Sequence, residues 1–181
     1  MPITDRGAPH SQRRALVVNA AELLREPGAT RIVAAHLSLD EVELADPRLH
    51  GDVDVSIVLT STLDRVLAAG EIRVGSRTEC VRCLTAIDRT LTVTTSETFV
   101  ADPPDEEFFP IEHGQLDLAA LVREAVLLAL PDAPLCRPEC AGLCPSCGVD
   151  RNAEACDCGA GPLDARWAAL DQLGDDSVGE R

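Results

Sequence analysis

The stretch Asp52-Val53-Asp54-Val55-Ser56-Ile57-Val58-Leu59 decides the fold class of this chain. Apolar residues stand at every second position from Val53 to Leu59, and most of the residues between them are polar. This period of two is typical of a β-strand that buries one face. Further strand-like segments, separated by turns that contain Gly or Asp, cover residues 30–39, 70–74, 78–84 and 91–99. Together they predict an antiparallel sheet, arranged as a meander or a small barrel.

A helix is predicted C-terminal to the sheet. Asp117 is a good N-cap residue, and Pro131 ends the segment. Between them, apolar residues recur at spacings of three and four: Leu118, Leu121, Val122, Ala125, Leu128 and Ala129. We expect this apolar face to pack against the sheet.

The composition limits the class of function. The chain has 181 residues, a formal net charge of −15, and an apolar fraction of 45%, which excludes global disorder. Aromatic residues make up 2% of the chain, and every basic residue is Arg. Binding of nucleic acid through a basic groove or stacked aromatic rings is therefore not expected. We find no signal-peptide core and no apolar run of membrane-spanning length, so a cytoplasmic location with reduced thiols is expected.

Eight cysteines in a chain of this kind indicate a metal site. The most specific element is Cys144-Pro145-Ser146-Cys147-Gly148, in which two intervening residues allow both sulfurs to face one ion. Cys156 and Cys158 follow closely enough to complete a tetrathiolate site. All-Cys ligation leaves no open position on zinc for water, so we expect structural zinc and no catalytic residues.

Other ligand sets are also compatible with the spacing. Cys136, Cys140, Cys144 and Cys147 form a cluster that can hold one ion by itself. Alternatively, Cys136 and Cys140 meet Cys80 and Cys83, which gives two sites from eight cysteines. One or two zinc ions are therefore expected. The four histidines are scattered and are not predicted ligands: His10, His36, His50 and His113.

The predicted fold class is α+β: a mainly antiparallel sheet or small barrel, packed with the C-terminal amphipathic helix and followed by a short cysteine-rich, zinc-binding segment. Residues 1–14 are predicted to be a flexible tail. Residues 15–131 form the α+β domain, with an acidic loop at 101–116 and the helix at 117–130. Residues 132–173 form the metal-binding segment, which ends in a short helix capped by Asp164, and residues 174–181 are a second tail.

Three stretches, in this order and at these separations, resemble the bacterial YceD family of large ribosomal RNA subunit accumulation proteins. They are Glu79-Cys80-Val81-Arg82-Cys83-Leu84, the helix from Asp117 to Pro131, and the cysteine segment from Pro134 to Gly148. The resemblance spans roughly residues 15–173. The all-Arg composition and the closing Asp164-Ala165-Arg166-Trp167 resemble an actinobacterial member.

The resemblance implies a non-enzymatic ribosome-biogenesis factor that supports the synthesis, processing or stability of 23S ribosomal RNA. Family members differ in the C-terminal cysteine segment, so the resemblance does not assign a metal.

The negative charge favours a basic protein of the large subunit over bare RNA as the direct partner. The predicted binding surface is in the acidic loop and consists of Asp105, Glu106, Glu107 and Glu112. Neither a membrane nor a small-molecule substrate is expected as a partner.

Two alternatives come from other classes of function. In the first, Cys80 and Cys83 form a thiol–disulfide pair, although no helix start follows Cys83 to lower a thiol pKa. In the second, the C-terminal segment is a zinc-dependent protein-docking module unrelated to ribosomes.

Overall fold

The computed structural model describes residues 13–105, 108–158 and Arg166. Most of the predicted N-terminal tail, Glu106 and Glu107 lie outside the described residues. So do the terminal helix predicted from Asp164 and the tail at 174–181.

The chain divides into two compact units. The first, here called the sheet unit, consists of Met1–Glu79 and Ala86–Pro134. The second, here called the cysteine unit, consists of Cys80–Thr85 and Leu135–Arg181. The sequence placed residues 80–85 inside the continuous 15–131 domain, whereas the structure groups them with the C-terminal cysteines. Periodicity along the chain cannot reveal that a short segment between two strands belongs to a different unit.

The secondary structure of the sheet unit is mainly β. The strands are β1 (Val17–Asn19), β2 (Thr30–Ser38), β3 (Leu49–Ser61), β4 (Arg65–Glu79), β5 (Ala86–Val100), β6 (Phe109–Pro110) and β7 (Gln115–Asp117). The helices are α1 (Ala20–Leu23) and α2 (Leu118–Ala129), with 3-10 turns at Arg13–Leu16 and Asp40–Val42. We find no helix in the described ranges with the length and hydropathy needed to cross a bilayer.

The main sheet has five strands in the order β2-β3-β4-β5-β6. All neighbours are antiparallel except β5 and β6, and β1 pairs with β7 in a separate two-stranded sheet. The predicted fold class, a mainly antiparallel sheet with one amphipathic helix, is confirmed. The small-barrel alternative is wrong, because β2 and the two-residue β6 are the outer strands of an open sheet.

The period of two in β3 buries one face of the sheet. Val53, Val55, Ile57 and Leu59 are all at most 3% exposed. In the register, Val55 lies opposite Ile72, and Ile57 lies opposite Gly70. A Cβ atom on Gly70 would lie 2.1 Å from the backbone oxygen of Ser56. No side chain fits there, so this glycine sets how closely β3 and β4 approach.

Helix α2 covers the buried face. The Asp117 carboxylate accepts a hydrogen bond from the Ala119 amide at 2.9 Å, which caps the first turn as predicted. The helix packs against β4 and β5 and buries Leu118, Ala119, Leu121, Val122 and Val126. Leu128, predicted on the buried face, is 87% exposed. It stands in the last turn, where Val126 and Leu130 take the buried positions instead.

Two segments differ from their predicted extents. The strand predicted at 78–84 is wrong after Glu79, because β4 ends there and Cys80–Thr85 forms the turn to β5. The acidic loop is not irregular throughout: it contains β6, and β7 begins within it at Gln115.

Candidate metal centres

The first candidate centre, cluster A, consists of Cys80, Cys83, Cys136 and Cys140. Their sulfurs all lie within 4.8 Å of one another. The Sγ atoms of Cys80 and Cys140 are 3.7 Å apart, and those of Cys83 and Cys136 are 3.6 Å apart. Cys136 is exposed and the other three are buried.

The turn between β4 and β5 supplies half of cluster A. The Cys80 amide donates to the Thr85 carbonyl and the Leu84 amide donates to the Cys80 carbonyl, both at 2.9 Å. Leu84 takes the left-handed conformation, with φ of 60°, and this closes the turn. Arg82 joins this turn to the second ligand pair, because its guanidinium donates to the Cys140 carbonyl at 2.8 Å.

The second candidate centre, cluster B, consists of Cys144, Cys147, Cys156 and Cys158. Its sulfurs also lie within 4.8 Å of one another. The first ligand pair sits on a tight turn in which the Gly148 amide donates to the Cys144 carbonyl at 2.9 Å. Gly148 has a φ of 76°, a conformation that favours glycine. Cluster B is more exposed than cluster A, since only Cys144 is fully buried.

In each cluster, backbone amides stabilise the negative charge of one thiolate. Amides of Cys136, Cys83 and Arg82 lower the pKa of Cys80 to about 6. Amides of Cys147 and Ser146 lower the pKa of Cys144 to about 6. These amides favour a charged ligand in each cluster at neutral pH.

Cys136 in cluster A and Cys156 in cluster B are harder to ionise. Burial and hydrogen bonding with Cys83 raise the pKa of Cys136 to about 12. The hydrogen bond with Cys144 raises the pKa of Cys156 to about 11. A dication bound among the sulfurs would favour the thiolate form of these ligands, since metal binding releases thiol protons.

The geometry of both clusters fits a tetrahedral metal ion. Zinc–sulfur bonds of about 2.3 Å in a regular tetrahedron place the sulfurs about 3.8 Å apart. The two distances measured in cluster A, 3.7 and 3.6 Å, are close to this separation. Four sulfur donors suit zinc or iron, and four protein ligands complete the shell without water. Each cluster is therefore suited to hold a structural ion.

The structure brings together two of the three cysteine sets considered from the sequence. Cys136 and Cys140 lie with Cys80 and Cys83, not with Cys144 and Cys147 as in the single-cluster alternative. All eight cysteines are free of disulfides.

One residue of the cysteine unit was not identified from the sequence. Asn152 lies in the loop between Cys147 and Cys156, and its side-chain amide donates to the Cys140 sulfur at 3.4 Å. A single Asn in a polar loop carries no sequence signal for this role. Asn152 reaches the Cys140 sulfur only because the cysteine unit folds so that the two residues lie close together.

The predicted acidic surface belongs to the sheet unit. Asp105 and Glu112 are exposed, whereas Glu106 and Glu107 lie outside the described residues. Glu112 also lines a cavity of about 410 Å³ together with Phe109, Ala120 and Asp117. Phe109 stacks on Phe99 in its wall, with ring centroids 5.2 Å apart. The cavity therefore combines an apolar wall with carboxylates.

Comparison with known proteins gives matches over most of the chain. A family model described as "Large ribosomal RNA subunit accumulation protein YceD" matches residues 68–174. An uncharacterized protein of Mycobacterium tuberculosis is 30% identical over 182 residues, which covers 90% of this chain and 83% of the relative. An uncharacterized protein of Mycobacterium leprae is 32% identical over 146 residues, 74% of this chain and 66% of the relative.

A plant relative has a descriptive name. The "Large ribosomal RNA subunit accumulation protein YCED homolog 1, chloroplastic" of Arabidopsis thaliana is 32% identical over 72 residues. The match covers 40% of this chain and 22% of the relative. No solved structure matches the chain.

Proposed function

The chain belongs to the YceD family of large ribosomal RNA subunit accumulation proteins, and we propose on this basis that it is a non-enzymatic factor in the biogenesis of the large ribosomal subunit. It acts in the cytoplasm and supports the synthesis, processing or stability of 23S ribosomal RNA. The observation that carries this proposal is the family match over residues 68–174, which takes in β5, α2 and all eight cysteines. Deletion of the gene is expected to lower the ratio of 23S to 16S RNA, and an unchanged ratio would contradict the proposal.

The proposal assigns one structural zinc ion to each of clusters A and B. The buried residues in the described part of the cysteine unit are Cys80, Cys83, Cys140, Gly142 and Cys144. These residues provide almost no apolar core, so the unit needs cross-links to fold. Structural zinc supplies that stabilisation, because the free energy of metal binding adds directly to the free energy of folding.

Metal analysis tests this assignment. Two zinc ions per chain are expected in protein purified under reducing conditions. One ion is expected in the variant Cys80→Ser/Cys83→Ser, and one in the variant Cys144→Ser/Cys147→Ser. A zinc content that is the same in both variants as in the unmodified chain would contradict the ligand sets.

The absence of enzymatic activity is also part of the proposal. Two tetrathiolate centres offer no open coordination position for a substrate or a water nucleophile. Insulin reduction is a simple assay for the competing thiol–disulfide function. We expect the zinc-loaded chain to be inactive in it. Activity that disappears in Cys80→Ser/Cys83→Ser would contradict a purely structural role for cluster A.

We further propose that the direct partner is a basic protein of the large subunit. Arginines of the sheet unit pair with carboxylates of the same chain: Arg13 with Glu43, Arg48 with Asp46, Arg65 with Asp64, Arg73 with Glu71, Arg77 with Asp88 and Arg123 with Glu43. This pairing reduces the positive charge available to phosphates, and the chain carries a net charge of −15. Bare RNA is therefore a poor electrostatic match, whereas a Lys- and Arg-rich protein is a good one.

The acidic loop is the surface proposed to bind this partner. Glu112 lies at a cavity that also has an apolar wall, formed in part by Phe109. An aliphatic Lys or Arg stem suits such a wall, and its charged end suits the carboxylates. The exposed Asp105 carries further negative charge in the same loop.

Affinity purification with matched charge variants tests the partner surface. The loop variant replaces Asp105 with Asn and replaces Glu106, Glu107 and Glu112 with Gln. The control variant removes four negative charges elsewhere, by Glu26→Gln, Asp40→Asn, Asp52→Asn and Asp64→Asn. After nuclease treatment, we expect the unmodified chain and the control to retain a basic ribosomal protein, and the loop variant to retain about tenfold less.

Two results would contradict the partner proposal. The first is equal capture by the loop variant and the control, which would exclude the loop as the binding surface. The second is capture of RNA alone, lost on nuclease treatment and steeply dependent on salt, which would indicate direct binding to phosphates.

A further inference from the structure

Asn152 belongs to the loop of cluster B but contacts a ligand of cluster A. It lies between Cys147 and Cys156 in sequence, and its Nδ2 donates to the Cys140 sulfur at 3.4 Å. Its Oδ1 accepts from the Ala141 amide at 2.8 Å and from the Arg137 guanidinium at 2.7 Å. The Asn152 side chain therefore contacts Arg137, which follows Cys136, and Ala141, which follows Cys140, as well as the Cys140 sulfur itself.

The position of Asn152 is in turn fixed by Asp150. One Asp150 carboxylate oxygen accepts from the Asn152 backbone amide at 2.9 Å and from Nδ2 at 2.6 Å. Both hydrogens of Nδ2 and both lone pairs of Oδ1 thus have partners. The amide orientation follows from this network, because the reverse orientation would place Oδ1 against the Asp150 carboxylate.

Backbone contacts connect the loop to the Cys140–Cys144 segment, and that segment to the first ligand turn of cluster A. The Arg151 amide donates to the Gly142 carbonyl, and the Leu143 amide donates to the Arg82 carbonyl, both at 2.9 Å. Gly142 has a φ of 72°, and a Cβ there would lie 2.9 Å from the Arg82 oxygen. The segment before cluster B therefore lies directly on the first ligand turn of cluster A.

We propose that Asn152 is a positioning residue that couples the two metal centres, so that an ion in one raises the affinity of the other. This inference rests on the proposal that both clusters bind zinc. An ion in cluster B orders the loop from Gly148 to Ala155, and the ordered loop holds the Asn152 amide against the Cys140 thiolate. Because coupling between binding sites is reciprocal, an ion in cluster A favours binding at cluster B by the same factor.

The expected factor by which one ion raises the affinity of the other site follows from the hydrogen bond between Asn152 and the Cys140 sulfur. Removal of an outer-shell hydrogen bond to a metal ligand costs ten- to a hundredfold in metal affinity. At one zinc equivalent per chain, two equal and independent sites leave about half of the chains with one ion. Tenfold coupling lowers the share of singly loaded chains to about 24%, and hundredfold coupling lowers it to about 9%. The remaining chains are empty or doubly loaded.

Native mass spectrometry of the full chain at one equivalent of zinc counts these species directly. We expect few singly loaded chains in the unmodified protein and a share near or above one half in Asn152→Ala. Glu154→Gln, an exposed change in the same loop, is the control and should match the unmodified protein. An equal share in Asn152→Ala and the unmodified chain would overturn the coupling.

Cobalt titration is a second test of the same coupling. With a competing chelator, thiolate charge-transfer absorption gives the overall Co²⁺ affinity of the chain when cluster B is intact, and the affinity of cluster A alone in the Cys144→Ser/Cys147→Ser background. Asn152→Ala should lower this affinity ten- to a hundredfold when cluster B is intact, and much less in the Cys144→Ser/Cys147→Ser background. An equal loss in both backgrounds would overturn the coupling through cluster B, whereas failure of any metal to bind would overturn the zinc assignment itself.

Discussion

Removal of metal from the full chain is expected to unfold the cysteine unit and leave the sheet unit folded. The sheet unit has an extensive apolar core that includes Leu16, Ile57, Ile72, Phe99 and Leu121, all at most 1% exposed. The buried residues in the described part of the cysteine unit are four cysteines and Gly142. With both clusters loaded as proposed, a chelator would therefore remove the main source of stability from one unit and none from the other.

The expected loss of folding free energy follows from the number of ions bound in the two clusters. At a free zinc concentration a hundred times the Kd, each ion stabilises the folded state by about 2.7 kcal/mol. Two ions contribute about 5.4 kcal/mol, which corresponds to about a 10⁴-fold change in the population of the open cysteine unit. Proteolysis through the open state should accelerate by at least a hundredfold, even if only one cluster is emptied.

Trypsin is a suitable probe, because every basic residue of the chain is Arg. Arg82 and Arg151 are exposed cleavage sites in the cysteine unit, whereas Arg137 precedes Pro138 and resists the enzyme. Arg73, within β4, is the internal control of the sheet unit. With a non-thiol reductant present, chelation should accelerate cleavage after Arg82 and Arg151 and leave cleavage after Arg73 unchanged.

Two outcomes would refute this reasoning. Equal cleavage rates with and without chelator would mean that the cysteine unit folds through its protein contacts alone. Simultaneous acceleration at Arg73 would mean that the sheet depends on the metal as well. Cleavage after Arg73 controls for effects of the chelator on trypsin, and a chelator saturated with zinc beforehand should leave all three rates unchanged.

Three further variants test other parts of the structure. Gly70→Ala should cost about 2 kcal/mol or more in urea unfolding, because its Cβ would lie 2.1 Å from a backbone oxygen of β3; a loss below about 0.5 kcal/mol would contradict this. Asp117→Ala should cost about 1 kcal/mol in thermal unfolding through loss of the helix cap, and an unchanged melting temperature would argue against the cap. The hydrogen bond to Asp54 raises the pKa of His36 above 6.5, so Asp54→Asn should lower it in an NMR titration. Because the folded-state pKa is raised, the stabilisation from protonated His36 is full below pH 6.5 and is lost as pH rises through the folded-state pKa.

The sequence predicted the sheet and the helix wherever one residue type repeats with a clear period. Val53 to Leu59 predicted β3 correctly, and Asp117 predicted the start of α2. Leu128 was predicted incorrectly, because periodicity shows which face of a helix is apolar but not where its neighbours end. The extent of β4 was missed for a related reason: residues 65–69 have no decisive period, and pairing with β3 and β5 makes them part of the strand.

In the cysteine unit, too, the sequence predicted the contacts between residues that are close in sequence better than those between distant residues. The spacing of Cys144, Cys147, Cys156 and Cys158 places all four within one short segment, so the sequence alone suggests this set. The set with Cys80, Cys83, Cys136 and Cys140 was only one of the alternatives, because Cys80 and Cys140 are 60 residues apart in sequence. Asn152 was missed because its role depends on both clusters being assembled.

The separation of the cluster A ligands has a consequence for the order in which the chain is synthesised. Cys83 and Cys136 are 53 residues apart, so the ribosome exposes the hairpin tip well before the second ligand pair. An ion captured early would be held by two sulfurs and would remain exchangeable. A nascent or truncated chain that ends before Cys136 can contain nearly the whole sheet sequence and still lack a closed cluster A. With zinc bound as proposed, retention of metal in this centre would distinguish finished chains from unfinished ones.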